Sequence, residues 1–591
     1  MTLAWDQFGS SIAAVLAQKA AERGQDVFLH WLDDRGGETA LTFQQVYEGA
    51  AGAAGALAQL GVKRGDRVMI GLPTGVAFLN AFFGTLLLGA IAVPFYPPAR
   101  LNGLEAYESA LAAQVTSVKP RLLVTFARAR QVIESATYAA GARVPVVVPE
   151  NLNGHAAPAA LTLDPDAVAL IQFTSGSTRQ PKGVVLTHRQ LLNNIASIVA
   201  AVGLRVEDRA CSWLPLYHDM GLIGMLLTVL FRGTPLVLMS PQSFLLDPKR
   251  WLWAIDRFRC TISTAPNFAY HLCAQRLQDQ ELQGLDLTSW RLAYSGAETV
   301  QAETMHAFAT RFSPYGLAPS AITPIYGLAE MAVAVTFCPP ERGLRLDRLS
   351  ADRLESEQVA GPPEEGRTAT VASVGFPIPG HAVRIQDATG GVLPERAVGE
   401  VWVSGPSLMQ GYWESPDRTL SPAKDGWLDT GDRGYLADGE LFITGRSKDL
   451  IIKAGRNYAP SDLEFQVGKV PGVRAGNVAA FSLPDPASGT EKVVVLAESR
   501  QPAEEYPQLA AAVAAQLRET LALHPDHVAI LTPGQIPKTS SGKVRRQLAR
   551  ERFLAGTLAP AADNPLWSAT RRVGRAWLQR LSVENQERGH M

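Results

Sequence analysis

Cysteine is scarce in this 591-residue chain: there are four, Cys211, Cys260, Cys273 and Cys338. So few, so widely spaced, exclude a disulfide framework and a zinc cluster. They read instead as small buried hydrophobes in a reducing compartment. Net charge is equally scarce, with 55 Lys and Arg facing 56 Asp and Glu for a formal −1. That balance excludes a global polyanion binder, so no nucleic-acid partner is expected. Charged residues make up only 19% of the chain, against about 25% in ordinary soluble proteins, and a large body needs less charge because it buries more of its surface. The longest uncharged stretch, Val68–Pro98, is broken by Pro73, Gly75, Asn80 and Pro94. It therefore scans as strand (Arg67–Leu72), helix (Val76–Leu88) and strand (Ala90–Phe95) in a buried interior rather than as a membrane span. The opening MTLAWDQFGSS has no basic segment and carries an acid at Asp6. No signal peptide is expected, and the expected setting is cytoplasmic.

What is present is ample apolar side chain, 47% of residues, enough to offset the entropy of ordering and exclude wholesale disorder. The length argues for several domains or one large multi-lobed core. Short apolar runs such as DRVMIGL, PRLLVTF, AVALIQFT and TPLVLMS alternate with helical stretches such as SIAAVLAQKAAE. That alternation predicts an α/β fold with mostly parallel sheets covered by helices. The charged stretch Glu341–Arg367 reads as a surface insertion with a short helix. After the turn-rich GWLDTGDRGYLADGELFITGRSKD a new βαβ-like region begins, which places a domain boundary at about Arg446–Lys448.

The strongest local signal runs from Ala167 to Asn194. An apolar strand leads into Thr174-Ser175-Gly176-Ser177-Thr178, then Pro181-Lys182-Gly183, then strand and helix. Hydroxyls and glycine-exposed N–H groups on a tight loop close around phosphate oxygens. It is not a Walker loop: Pro181 replaces the second glycine and has no N–H, and Gly183 replaces the magnesium-binding hydroxyl.

This phrase resembles the phosphate loop of the adenylate-forming superfamily, which comprises acyl-CoA synthetases, nonribosomal adenylation domains and luciferases. Further phrases follow in that family's order: SGAE (Ser295–Glu298), YGLAE (Tyr326–Glu330), WLDTGD (Trp427–Asp432), GRSKDLIIKAGRNYAPSDLE (Gly445–Glu464) and PKTSSGK (Pro537–Lys543). The resemblance spans essentially the whole chain. It implies a large, multi-lobed N-terminal domain over residues 1–446 and a small, mobile α+β C-terminal domain over 447–591.

The resemblance also implies a division of labour. Thr174, Ser175, Gly176, Ser177, Thr178 and Lys182 bind the ATP phosphates. Ser295, Gly296, Ala297, Tyr326 and Gly327 hold adenine, with Tyr326 offering its ring face. Asp432 accepts the ribose hydroxyls with Arg446 assisting. Lys448 marks the hinge. Glu330 holds Mg²⁺, a hard cation that favours carboxylate oxygen. Lys543 is the catalytic cation. Adenylation brings an anionic carboxylate to an anionic phosphate, so positive charge must offset the repulsion. At about 3 Å and an effective dielectric of about 20, one such pair is worth roughly 5 kcal/mol before desolvation. Only 12 of the 55 basic residues are lysine, yet two fall in PKTSSGK.

Four features resemble the fatty acyl-AMP ligase branch: Arg179 in the phosphate loop, YHDMG within Trp213–Gly224, Ala329 in YGLAE, and the charged insertion at about 341–372. In that branch the insertion packs on the N-terminal domain and is linked to failure to use coenzyme A. The implied reaction forms an acyl adenylate from a fatty acid and passes the acyl group to the phosphopantetheine arm of an acyl carrier protein. No carrier motif follows Lys543, so the carrier is expected in trans. Val374 stands where the branch commonly has cysteine. His218 and Met225 are assigned to the acyl and carboxylate site, although helical spacing in GLIGMLLTVLF favours core for any single residue there. From Ile536 to Met591 there are 11 basic and 4 acidic residues, a net of +7 that leaves −8 elsewhere. This basic end, with Arg571, Arg572 and Arg575, is expected to steer ATP and an acidic carrier.

Overall fold

The computed structural model describes residues 9–98, 105–152, 161–174, 182–415, 418–420, 423–453, 456–485, 490–539 and 542–558. Two units emerge. The first is built from Met1–Arg348, Thr370–Thr430 and Gly434–Ile443, the second from Leu349–Ala369, Gly431–Arg433 and Thr444–Met591.

Two large sheets form the first unit. One has eight strands and the other nine. The uncharged stretch that tempted a membrane reading is the interior of the eight-stranded sheet: strand Arg67–Gly71, helix Val76–Leu87 and strand Ile91–Pro94. The two strands pair in parallel, Val68 with Ala92 and Met69 with Val93. Helix Val76–Leu87 buries Phe78, Leu79, Phe82, Phe83 and Leu86. A helix this apolar, polar only at Asn80 and Thr85, is paired with a buried strand because both faces of a parallel sheet are covered. No helix among the described residues is long and apolar enough to cross a membrane. All four cysteines are free and buried, as their scarcity predicts.

The nine-stranded sheet carries parallel strands Ala210–Ser212, Ile262–Ala265, Leu292–Ser295 and Ile322–Tyr326 side by side. Their C-terminal ends bring SGAE next to YGLAE, at the edge where ligands bind in open α/β sheets.

In the second unit, strands Val473–Asp485 and Thr490–Ser499 pair antiparallel, and His527–Leu531 joins in parallel. Helices Pro460–Gly468 and Tyr506–Leu521 bury Leu463, Val467, Val513 and Leu517 in this unit's core.

The charged insertion is more ordered than its composition suggests. Strands Leu346–Ser350 and Thr368–Ala372 form a two-stranded sheet around a π-helical turn, Arg353–Glu357. Its base lies in the first unit, where Arg342 grips the buried Glu440 with two bonds at 2.6 and 2.8 Å and Arg345 adds a third at 2.6 Å. Burial alone would raise the Glu440 carboxyl; Arg342, Ser373 and Arg345 outweigh it and hold the pKa down at about 2. The tip, Leu349–Ala369, belongs to the second unit. There Arg456 pairs with Asp352 at 3.0 Å, Arg367 pairs with Glu355 at 2.5 Å, and Asn457 donates to the Glu355 carbonyl at 2.8 Å. The tip thus clusters with the C-terminal residues Arg456 and Asn457.

Candidate active site

In the first unit, the phosphate-loop phrase is a hairpin. Strand Val168–Thr174 runs antiparallel to Lys182–Thr187, and Thr174 is the direct partner of Lys182. Ser175, Gly176, Ser177 and Thr178 lie outside the described residues. Helix His188–Val202 follows, started by a reciprocal cap between Thr187 and Gln190.

Strand Gly411–Ser415 pairs with the second arm of the hairpin, Tyr412 opposite Val184. That register places the Tyr412 ring against the Lys182 ammonium, 4.5 Å from Nζ to centroid, within cation–π range. The phenol of Tyr412 donates to Glu330 Oε1 at 2.8 Å. A continuous chain of contacts therefore joins the phosphate-loop lysine to the expected magnesium carboxylate. Burial first, and then the neighbouring Glu330 charge, push the Tyr412 pKa up, so the phenol stays protonated and keeps donating. Sequence reasoning missed Tyr412. An aromatic in a short strand 82 residues beyond Glu330 has no local mark.

Glu330 is fixed from behind as well. Its carbonyl accepts the Met409 N–H at 2.8 Å. Asn194 clamps the following loop, donating to the Ala334 carbonyl at 2.9 Å and accepting from the Ala334 N–H at 3.0 Å. Gly327 is required by close approach: a Cβ there would lie 1.8 Å from the Val333 carbonyl oxygen.

The adenine pair sits at adjacent strand ends. Ser295 is fully buried, and a Cβ on Gly296 would fall 2.6 Å from Ile325 Cγ1. Ala297 adopts φ +69°, a left-handed conformation disfavoured for a side-chain-bearing residue. Glu298 braces this turn by accepting the Phe268 N–H at 2.7 Å. Tyr326, the last residue of its strand, is half-buried. A flat slot beside an aromatic face follows from glycine and alanine on one side and tyrosine on the other.

His218 and Asp219 lead into a π-helical segment, Met220–Leu227, and Asp219 caps it by accepting the Met220 N–H at 2.7 Å. Met225 is buried at 3% exposure, and its sulfur accepts the Thr264 hydroxyl at 3.1 Å. It packs against the strand that carries Thr264.

The second unit holds the other expected residues. Arg446 Nε donates to Asp432 Oδ1 at 2.9 Å, with Asp432 buried and Arg446 exposed. Lys448 stands two residues beyond Arg446. Lys543 lies on a hairpin: the Thr539 N–H donates to the Lys543 carbonyl at 2.7 Å, and the Lys543 N–H returns a bond to Thr539 Oγ1 at 3.0 Å. Gly542 turns it at φ +88°. Arg546, three residues on, makes two bonds to Glu464 at 2.7 and 2.8 Å and one to Asp449 at 3.0 Å. Burial opposes the Arg546 charge, but Glu464 and Asp449 outweigh it and raise its pKa. The hairpin is thus tied to the residue after Lys448. Arg571, Arg572 and Arg575 lie outside the described residues.

Among the described residues no three potential metal ligands cluster. Magnesium typically takes one or two carboxylates plus substrate phosphates, and Glu330, joined to Lys182 through Tyr412, suits that arrangement.

Known proteins resemble this chain over most of its length. The family model for AMP-binding enzymes matches residues 16–413. A Caulobacter vibrioides (strain NA1000 / CB15N) protein that carries an acyl-CoA synthetase name is 37% identical, over 88% of this chain and 91% of its own length. The medium-chain-fatty-acid–[acyl-carrier-protein] ligase JamA of Moorena producens (strain JHB) is 36% identical, over 88% and 90%. A solved structure from work on fatty acyl-adenylate ligases of E. coli and L. pneumophila superposes with a TM-score of 0.86 at 34% identity, covering 93% of this chain and 98% of that one.

Proposed function

This chain belongs to the AMP-binding enzymes, in their fatty acyl-AMP ligase branch, and from that membership we propose that it uses ATP to convert a fatty acid to its acyl adenylate, releasing pyrophosphate, and then transfers the acyl group to the phosphopantetheine arm of an acyl carrier protein supplied in trans. The observation that carries this reading is the contact chain Lys182–Tyr412–Glu330. It sets a cation and a carboxylate at the mouth of the phosphate hairpin, in the unit that also holds the Tyr326–Ala297 slot.

The residues divide the work as follows. Thr174 and Lys182 flank the triphosphate, and Glu330 is the residue that would hold magnesium. When bound, magnesium supplies charge neutralisation at the phosphates. Tyr326 and Ala297 sandwich adenine, while Asp432, oriented by Arg446, accepts the ribose hydroxyls. Lys543 donates to the carboxylate and bridging oxygens as they approach, offsetting like charge where it develops. The carrier thiol then loses its proton to solvent and attacks the acyl carbonyl, the thioester C–S bond forms, and AMP leaves with the acyl C–O bond electrons. Free, buried cysteines support a reducing, cytoplasmic setting.

The test is pyrophosphate exchange with a panel of fatty acids. Exchange with none of them removes the reading. The Caulobacter relative's name favours coenzyme A as a second acceptor class, so preformed adenylate should be offered coenzyme A and holo carrier protein separately. Rapid acyl-CoA formation would assign the chain to the acyl-CoA synthetases.

A further inference from the structure

Strand Thr490–Ser499 is the middle strand of the second unit's three-stranded sheet. It is buried on both faces: Val493, Val495 and Ala497 join one apolar cluster, Val494 and Leu496 another with Leu531, Ile536 and Phe553. By the two-residue alternation of a strand, Glu498 continues the face of Val494 and Leu496. It is 1% exposed. A charge in that position is costly unless it is paired and hydrogen-bonded, and leucine would have extended the apolar face. What the carboxylate adds is an acceptor.

Both of its oxygens are used. Oε2 accepts from Arg474 at 2.5 Å. Oε1 accepts the Gly534 N–H at 2.9 Å and the Ile536 N–H at 2.8 Å. Strand His527–Leu531, which lies beside Glu498 with Leu531 as its register partner, has ended by then. The chain turns at Gly534, φ +90°, so these N–H groups lie beyond the strand's ladder, and an ionised carboxylate is a strong acceptor for them. The next residue, Pro537, roots the hairpin that carries Lys543. Its carbonyl accepts the Arg545 N–H at 2.9 Å, Lys538 bridges Val544, and Thr539 bonds to Lys543. Arg546 anchors the exit of this hairpin through Glu464 and Asp449. Glu498 anchors its entry.

We propose that Glu498 is a positioning residue for Lys543: its grip on Gly534 and Ile536 sets where the hairpin begins, and so where the ammonium arrives during adenylate formation. This inference rests on the reading of Lys543 as the catalytic cation.

The test follows pyrophosphate exchange in Glu498→Leu, Glu498→Asp and Glu498→Gln, with thermal melting to check folding. Aspartate keeps the charge but draws the oxygens back by about 1.5 Å, one C–C bond. Glutamine loses the charge but keeps an oxygen of the right reach for both N–H groups. Reach rather than charge should therefore decide the rate. Glu498→Leu and Glu498→Asp should each lower kcat at least about tenfold with little change in KM for ATP, within the cost of displacing a catalytic group by about 1 Å. Glu498→Gln should recover most of that rate. In a Lys543→Ala background the ammonium is already gone, so Glu498→Asp should lower the residual single-turnover rate by less than about twofold, the non-additivity of residues that act through one another. Glu498→Asp decides the matter where Glu498→Leu fails to fold. Wild-type rates in the folded variants, glutamine slower than aspartate, or a full additive loss in the Lys543→Ala background would each overturn the positioning role. Near-normal exchange in Lys543→Ala alone overturns the reading of Lys543 first, and this inference with it.

Discussion

Tyr412 donates its phenolic hydrogen to Glu330 Oε1 at 2.8 Å while its ring faces the Lys182 ammonium. The contact holds one carboxylate oxygen of Glu330. Tyr412→Phe keeps the ring, and with it the cation–π contact, but removes the bond. Hydrogen bonds to charged groups contribute about 1.5–3 kcal/mol, so pyrophosphate exchange should fall at least about tenfold. Because Glu330 is the proposed magnesium residue, the Mg²⁺ concentration giving half-maximal exchange should also rise. A rate loss without a change in magnesium dependence would make Tyr412 structural only.

Lys543 is held at the end of a hairpin closed through Thr539. Lys543→Ala should lower adenylate formation by at least about 10²-fold, the scale of removing one charge contact made in the transition state. ATP binding, measured separately by calorimetry, should change much less, because the contact develops with the approaching carboxylate. Near-normal exchange would take Lys543 out of the mechanism.

Most of the site's named residues were legible because each motif is contiguous. A strand, a Ser/Gly/Thr turn and a lysine follow one another along the chain, and the same holds for SGAE, YGLAE and PKTSSGK. What escaped was everything supplied by pairing across the chain. Tyr412 reaches Glu330 only because its strand adds to the phosphate hairpin opposite Val184. Asp449 and Glu464 stand inside one recognised phrase and Arg546 three residues beyond another, yet their mutual contact depends on how a helix and a hairpin dock. The insertion was read as charged surface, which its composition supports; much of its charge is matched, with Arg367 on Glu355 and Asp352 inside it and Arg342 and Arg345 on the buried Glu440 outside it.

Arg546 is mostly buried and makes three bonds to Glu464 and Asp449. Arg546→Met should leave two carboxylates without their cation and destabilise the second unit by about 3–5 kcal/mol, the range for breaking a buried pair from one side. Urea unfolding followed in that unit checks this. A shift below about 1 kcal/mol, the range of exposed ion pairs, would place the cluster among surface contacts.

His188 opens the helix that carries Asn194, and its Nδ1 accepts the Ile12 N–H at 3.3 Å. Burial lowers its pKa from 6.5 to about 4. The folded protein therefore resists protonation across a window in which the unfolded chain accepts it. Its contribution is fully present above pH 6.5 and is lost as pH falls from 6.5 toward 4. At pH 5 the loss is about 2 kcal/mol relative to pH 7. His188→Gln should abolish that part of the pH dependence in the first unit's unfolding transition. An identical slope in the variant would assign the acid sensitivity to other groups.

The insertion poses the sharpest question about acceptor choice. Removing Glu341–Ala372 whole would strip Arg342 and Arg345 from a Glu440 that is only 1% exposed, a change expected to unfold rather than inform. The informative excision is Leu349–Ala369, replaced by a short glycine–serine link, because it leaves those arginines in place. It removes Asp352 and Glu355, and with them the contacts of Arg456 and Asn457 just beyond Lys448. If those contacts hold the C-terminal residues in one arrangement about the hinge, the excised enzyme should make measurable acyl-CoA from fatty acid, ATP and coenzyme A while retaining pyrophosphate exchange. Arg456→Ala should move in the same direction with a smaller yield, since it loosens the tip without deleting it. A folded excision variant that exchanges pyrophosphate yet makes no acyl-CoA would place the barrier to coenzyme A elsewhere, in the absence of a surface that binds its nucleotide.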